Sequence, residues 1–125
     1  MGVVVGLDRF AVRAATALAG SRVGLVTHPA AVSANLVDAV DVFRQAGVHL
    51  VALFGPEHGL GGAAPDGAAV ADAVEPRSGL PVYSLYGATS RSPADALAGI
   101  DVLIFDMQDL GARFYTFIST LYYVL

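Results

Sequence analysis

Cysteine and lysine are both missing from this sequence, and each absence closes off a class of function. Without cysteine there is no disulfide, no thiolate metal site and no cysteine nucleophile. Without lysine, all side-chain positive charge rests on seven arginines. These are scattered, form no basic run and sit in a chain of net charge -4, so no nucleic-acid surface is expected. Glutamate is nearly missing too, with only Glu57 and Glu75 present. The opening stretch Met1 to Gly6 lacks a basic n-region, and its apolar run is too short for a signal peptide or a membrane span. Read by itself, the chain is expected in the cytoplasm, with no membrane partner.

What is abundant is apolar surface: 55% of the 125 residues are hydrophobic, ample for a single core and incompatible with disorder. Asp8 is placed to cap a helix running to about Ala19, with Phe10, Ala14, Ala17 and Leu18 on one face and Gly20 as its stop. Strands are expected at Arg22 to Thr27, His49 to Phe54, Pro81 to Tyr86 and Asp101 to Phe105. Between the first two, Leu36, Val40 and Phe43 predict a helix over about Asn35 to Ala46, with Asp38, Asp41 and Gln45 facing water. Ser92-Pro93-Ala94-Asp95 reads as a capped start of a short helix ending at Gly99. Phe114, Ile118, Leu121 and Leu125 predict a last helix over Arg113 to Leu125, with a strand as the competing reading. From Gly55 to Gly79 no element is assigned.

Strands alternating with helices imply crossover units, hence an α/β fold with a parallel sheet. In such sheets the ligand lies beyond the carboxyl ends of the strands. That edge gathers Thr27 and His28, then Glu57 and His58, then Tyr86, then Asp106, Gln108, Asp109 and Arg113. The stretch Val51 to Leu60 stands out among them. Its apolar run breaks at Gly55-Pro56 and delivers an acid and an imidazole just past the break, between two glycines. A solvated loop acid beside a loop histidine would look the same. Two other motifs carry little. Gly59-Leu60-Gly61-Gly62-Ala63-Ala64 fits a dinucleotide fingerprint formally, but three residues separate it from the strand and Pro65 stands where a helix should run. His28, His49 and His58 show no ligand spacing, so no metal or other cofactor is expected.

Four blocks in order carry a family resemblance: Arg22 to Pro29, Leu50 to Gly59 with its Gly-Pro-Glu-His-Gly, Gly79 to Gly87, and Asp101 to Leu121 with its Phe-Asp-Met-Gln-Asp-Leu-Gly-Ala-Arg-Phe-Tyr-Thr-Phe-Ile-Ser-Thr. Together they resemble the exo-β-N-acetylmuramidase family, long catalogued as a domain of unknown function. The resemblance implies a three-layer, Rossmann-like amino-terminal subdomain over residues 1–125, truncated before the second subdomain that completes the family's cleft. It implies a glycosidase that removes non-reducing terminal N-acetylmuramic acid from peptidoglycan fragments, and it allows a periplasmic or extracellular location.

The resemblance gives Glu57 the role of catalytic acid/base, with His58 beside it. Glycoside cleavage calls for a protonated carboxyl at the leaving oxygen and usually a second group, for which Asp106 and Asp109 are the candidates. His28, Tyr86, Gln108, Asp109 and Arg113 are the expected substrate-binding residues, the guanidinium of Arg113 suiting a lactyl carboxylate.

The chain departs from the family pattern in places. His28 stands where the family has Asn, and Gly61, Ala63, Pro65 and Ala68 replace Arg, Asp, Gln and Glu. A loop so stripped should bind sugar less well. Three readings therefore stay open: the amino-terminal part of a muramidase-like glycosidase, with Glu57 at its catalytic position and its activity in the absence of a carboxy-terminal half left open; a non-catalytic sugar-binding or interaction remnant; and a nucleotide-binding domain. An uncapped apolar ending at Tyr122 to Leu125 also leads one to expect a missing subdomain or self-association.

Overall fold

The computed structural model describes residues 2–87 and 94–125. Its elements run α1 (Gly6–Ala17), β1 (Val23–Thr27), α2 (Ala39–Gln45), β2 (Leu50–Gly55), β3 (Ala73–Val74), β4 (Pro81–Ser84), α3 (Ala94–Leu97), β5 (Val102–Asp106) and α4 (Phe117–Val124). The five strands form one sheet in the order β3-β4-β2-β1-β5. All four expected strands are present and mutually parallel where they pair. The fifth, β3, was not expected. Its two residues pair antiparallel with β4 at the sheet edge, and a two-residue exposed strand leaves no alternation to detect.

Alternation along the strands divides the core between the two sheet faces. Val23, Leu25 and Leu53 pack with Leu7, Ala14 and Leu18 of the first helical segment and with Val40 and Phe43 of α2. On the other face Val26, Ala52 and Phe54 pack with Ala96 of α3, and Val124 of α4 joins them. The result is the three-layer α/β arrangement. Close approach is needed at Gly24, where a Cβ would meet Leu103 Cδ1 at 2.8 Å and Ile100 Cδ1 at 2.9 Å. No helix among the described residues is long and apolar enough to cross a membrane.

The helix boundaries differ from expectation for local reasons. α1 begins at Gly6, with Val5 at its N-cap and no side-chain cap bond. Asp8 instead accepts the Ala34 N–H at 3.0 Å, tying α1 to the loop before α2. Of its predicted face, Ala14 and Leu18 are buried, whereas Ala17 is exposed and Phe10 keeps only an edge on Phe43. α2 begins four residues late. Ser33 Oγ accepts the N–H groups of Asn35 and Val37, and Leu36 sits at φ 60° and is exposed. These side-chain bonds compete with the helix until Asp38 caps it through the Asp41 N–H at 3.0 Å. Residues 113–114 form a turn, closed by the Tyr115 N–H on the Ala112 carbonyl, rather than the first turn of α4. The buried positions of α4 are Phe117 and Thr120, so the predicted stripe was out of phase and Phe114, Ile118 and Leu125 are exposed. The predicted cap at Ser92-Pro93 lies outside the described residues.

Asp38 and Asp41 do not simply face water. Arg77 bonds both carboxylates at 2.8 Å and also Glu75 at 3.2 Å, fastening the turn after β3 to the start of α2. Burial opposes the charge of Glu75, but the bonds from Ser78 and Arg77 outweigh it and bring its pKa from 4.5 down to about 2.

Two outcomes are expected. A carboxylate held below its unfolded pKa stabilises the fold above that value and loses the contribution as pH falls toward the folded one. Stability should therefore decline between about pH 4.5 and about pH 2. In Glu75→Gln that part of the decline should be missing from urea-denaturation curves measured across this window. Secondly, Phe114, Ile118 and Tyr122 are 87%, 61% and 72% exposed, and apolar surface of this kind drives association. Light scattering should show concentration-dependent self-association of the chain, reduced in Ile118→Lys; a monomer at high concentration would refute it.

Candidate functional site

The strand order places the topological switch point between β1 and β5, because the chain leaves β1 toward β2 and returns from β4 to β5 on the other side. The carboxyl edge there presents Thr27, His28, Asp106 and Gln108. Glu57 and His58 lie one strand away, after β2. The loop that carries them folds back tightly over the strand end: a Cβ on Gly55 would lie 2.5 Å from the Leu60 nitrogen. Only glycine fits there, and His58 follows in the left-handed region at φ 70°.

Glu57 is held by donors from three separate segments. Thr116 Oγ1 donates to its Oε2 at 2.9 Å and the Gly67 N–H donates to its Oε1 at 3.3 Å. The Tyr86 hydroxyl donates as well. Burial opposes the charge on Glu57, but Thr116, Gly67, Tyr86 and the nearby His58 together hold its pKa below the ordinary 4.5. Polar donors surround it, and it is an ionised carboxylate at neutral pH. Tyr86 responds in the opposite sense, pushed up mainly by the charge of Glu57. It lies beyond the end of β4 rather than within the strand as predicted.

At Asp106 the balance runs the other way. Burial raises its pKa, opposed by the charge of His28. Its Oδ2 is buried without a hydrogen-bond partner among the described residues, and so is Oγ1 of Thr27, its register neighbour on β1. His28 Nε2 lies 2.7 Å from Gln108 Oε1, and its ring meets the edge of Phe117 at 4.8 Å. His58 does not reach Glu57 by a hydrogen bond. Its Nδ1–H donates to the Ala64 carbonyl at 2.8 Å, and Nε2 is 3.4 Å from Asp66, so the imidazole holds the loop. Asp109 accepts the Gly111 N–H at 2.6 Å and closes a turn. Arg113 is exposed and makes no ion pair among the described residues.

Two groups of side chains thus form, Glu57 with Tyr86 and Thr116, and His28 with Gln108 near Asp106. They meet at the start of α4, where Thr116 and Phe117 are successive residues. Sequence reasoning missed Thr116. A hydroxyl at a helix start is a cap signal, but the helix expected from Arg113 buried that signal in its interior; in the structure the hydroxyl serves Glu57 and makes no cap bond. Beside this edge, a cavity of about 600 Å³ opens between β1, the start of α2 and the loop after His58.

Comparison with known proteins places this arrangement. The family model for exo-beta-N-acetylmuramidase NamZ, N-terminal, matches residues 23–125. The chain is 45% identical over 109 residues to peptidoglycan beta-N-acetylmuramidase NamZ of Bacillus subtilis (strain 168), covering 86% of this chain and 26% of that protein. The crystal structure of a DUF1343 family protein from Bacteroides fragilis NCTC 9343 superimposes with a TM-score of 0.82 at 41% identity, over 94% of this chain and 29% of that one. A second DUF1343 family protein of the same organism shares the fold, with a TM-score of 0.74 at 24% identity, over 97% of this chain and 30% of that one. The chain spans about a quarter of the curated relative it matches.

Removing a donor from a carboxylate raises its pKa. Thr116→Val should accordingly shift the Glu57 carboxyl titration upward in carbon-detected NMR, while the fold is retained; an unmoved titration would show that the Thr116 bond does not form in solution.

Proposed function

Because the chain belongs to the family of amino-terminal domains of exo-beta-N-acetylmuramidase NamZ, we propose that it is the amino-terminal part of a glycoside hydrolase acting on non-reducing terminal N-acetylmuramic acid of peptidoglycan fragments. The observation that carries this reading is the setting of Glu57: a carboxylate delivered past a strand end and surrounded by displaceable donors from Thr116, Gly67 and Tyr86. Residues 1–125 form one Rossmann-like subdomain, and a second subdomain closes over its carboxyl edge.

In the resting chain Glu57 is charged, so it starts as a base. A sugar that takes the place of Thr116 or Tyr86 removes what holds the charge, and closure deepens the desolvation, both of which favour the protonated form needed at a leaving oxygen. Asp106 is the second carboxyl. Glu57 follows β2 and Asp106 ends β5, two strand spacings apart, or about 10 Å at the ordinary interstrand distance, with room for a sugar ring between them. His28, Gln108 and Tyr86 line the rim with groups suited to sugar hydroxyls. Arg113, exposed on the loop after β5, is available for the lactyl carboxylate.

A second reading, a sugar-binding or interaction remnant without turnover, is favoured by one feature. Gly61 and Ala63, at positions where the resembling family carries Arg and Asp, line the cavity and bring no polar side chain to it.

Glu57→Gln decides between them. With the chain supplied with the complementary part of a family member, turnover of a chromogenic muramic acid glycoside should fall roughly a hundred- to ten-thousand-fold. Binding of the sugar should change little, since the amide keeps the shape of the acid. His58→Ala should cost less, because its ring holds the loop. Unchanged turnover in a folded Glu57→Gln protein would remove Glu57 from the mechanism, and absence of turnover in the unsubstituted protein that still binds the sugar would establish the remnant.

A further inference from the structure

The cavity of about 600 Å³ has walls and a charge pattern of its own, and Glu57 does not line it. Its walls are largely small and apolar, from Ala39, Gly61, Ala63, Ala73, Val74 and Val82. Of its polar lining, the imidazoles of His28 and His58 are engaged with Gln108 and with Ala64 and Asp66, and the carboxylates of Asp38 and Glu75 with Arg77; two further polar features face it. Thr27 lines it, is 3% exposed and leaves Oγ1 with no partner among the described residues. A turn about its Cα–Cβ bond exchanges Oγ1 with Cγ2 at the wall. The other feature is Arg77, whose guanidinium is already bonded to Asp38, Asp41 and Glu75. An anion entering there would meet the carboxylates of Asp38 and Glu75 beside a cation that they already engage. The site therefore rejects a carboxylate and suits an uncharged group with an apolar body and one hydrogen-bond acceptor.

Resting on the muramidase reading, we infer that this cavity receives the N-acyl substituent of the amino sugar, with the amide carbonyl accepting from Thr27 Oγ1 and the acyl chain lying against the alanine and valine walls. Chain geometry supports the placement. The residues that follow Glu57, His58 and Gly59, line the cavity. The N-acyl group sits on the sugar carbon next to the reacting anomeric centre. The lactyl group is one carbon further and is charged, so it points out of the cavity toward the rim. The volume also exceeds what an acetyl group fills and lies within the range of sites that take whole small molecules. The pocket should accept longer acyl chains.

The test is calorimetric titration of the 125-residue chain with four methyl glycosides of muramic acid, carrying a free amine, N-acetyl, N-butyryl or N-hexanoyl group. Affinity should rise about fourfold per added methylene from acetyl to hexanoyl, the value expected for burying each in an apolar site, with the free amine weakest. Ala63→Phe fills the wall and should abolish the gain with chain length while leaving the N-acetyl compound within about twofold. Thr27→Val, isosteric and at home in a strand, should weaken all three amides by a common factor of about five, one neutral hydrogen bond, and keep the slope. Far-ultraviolet circular dichroism establishes that each variant is folded. Equal affinities across the acyl series, or tightest binding of the free amine, would overturn the inference while leaving the muramidase reading intact. Titration with N-methylhexanamide separates the two. Binding of this amide that Ala63→Phe removes, with no binding of any glycoside, would uphold an acyl pocket and sink the sugar reading.

Discussion

Everything in this molecule is registered to the complete burial of β1. All five of its residues are buried, and it pairs with β2 on one side and β5 on the other. A strand with no solvated face or edge must be covered from both sides, so α1 and α2 take one face and α3 and α4 the other. Parallel neighbours in turn require crossovers, which return β1, β2, β4 and β5 in the same direction and deliver their ends to one edge. The chemistry-bearing residues are together because β1 is buried. Gly24 shows how little slack remains, with side chains from β2 and the β5 segment where its Cβ would stand.

At that edge the environment separates two carboxyl groups that the sequence presents alike. Glu57 is set among donors and remains charged, whereas Asp106 sits where burial dominates and its buried Oδ2 has no partner among the described residues. Opposite displacements of this kind distinguish the roles of paired acids more sharply than identity or order in the chain. Glu75, the other glutamate, illustrates the contrast. Its donors are the N–H groups of its own turn and an arginine that is itself clamped, so its low pKa marks a structural tie.

Strands and their order of appearance were readable because apolar runs of the right length have few alternatives, and the convergence of strand ends followed from topology alone. Helix boundaries were not, and the misses share a cause. Ser33 carries an oxygen that captures the backbone at the start of the helix predicted from Asn35, while Asp8 and Thr116 carry oxygens that bond outside the helices predicted for them. Leu36 matched the helical stripe by spacing and lies in a left-handed turn. Hydrophobic periodicity reports which face is buried, and it is silent about where side-chain oxygens capture the backbone. The same silence hid the Glu57 clamp: Thr116 and Gly67 are distant from it in sequence and went unremarked, and Tyr86 was read to the same edge but not as a partner of Glu57. Family resemblance named Glu57 but could not supply its ionisation, which depends on those three donors.

The clamp also joins chemistry to the outer layer of the fold. Thr116 is the residue before α4, and Phe117, which follows it, touches both His28 and Tyr115. One face of α4 is buried against the sheet, while Ile118 and Tyr122 look outward. A body packing on that outward face bears on the helix whose first residues set the positions of Thr116 and His28. Movement of the helix start by a bond length would take Thr116 beyond hydrogen-bonding distance of Glu57 and release part of what holds its charge. Covering the apolar face and adjusting the carboxylate are for that reason one mechanical problem, solved by a single turn of chain between Arg113 and Phe117.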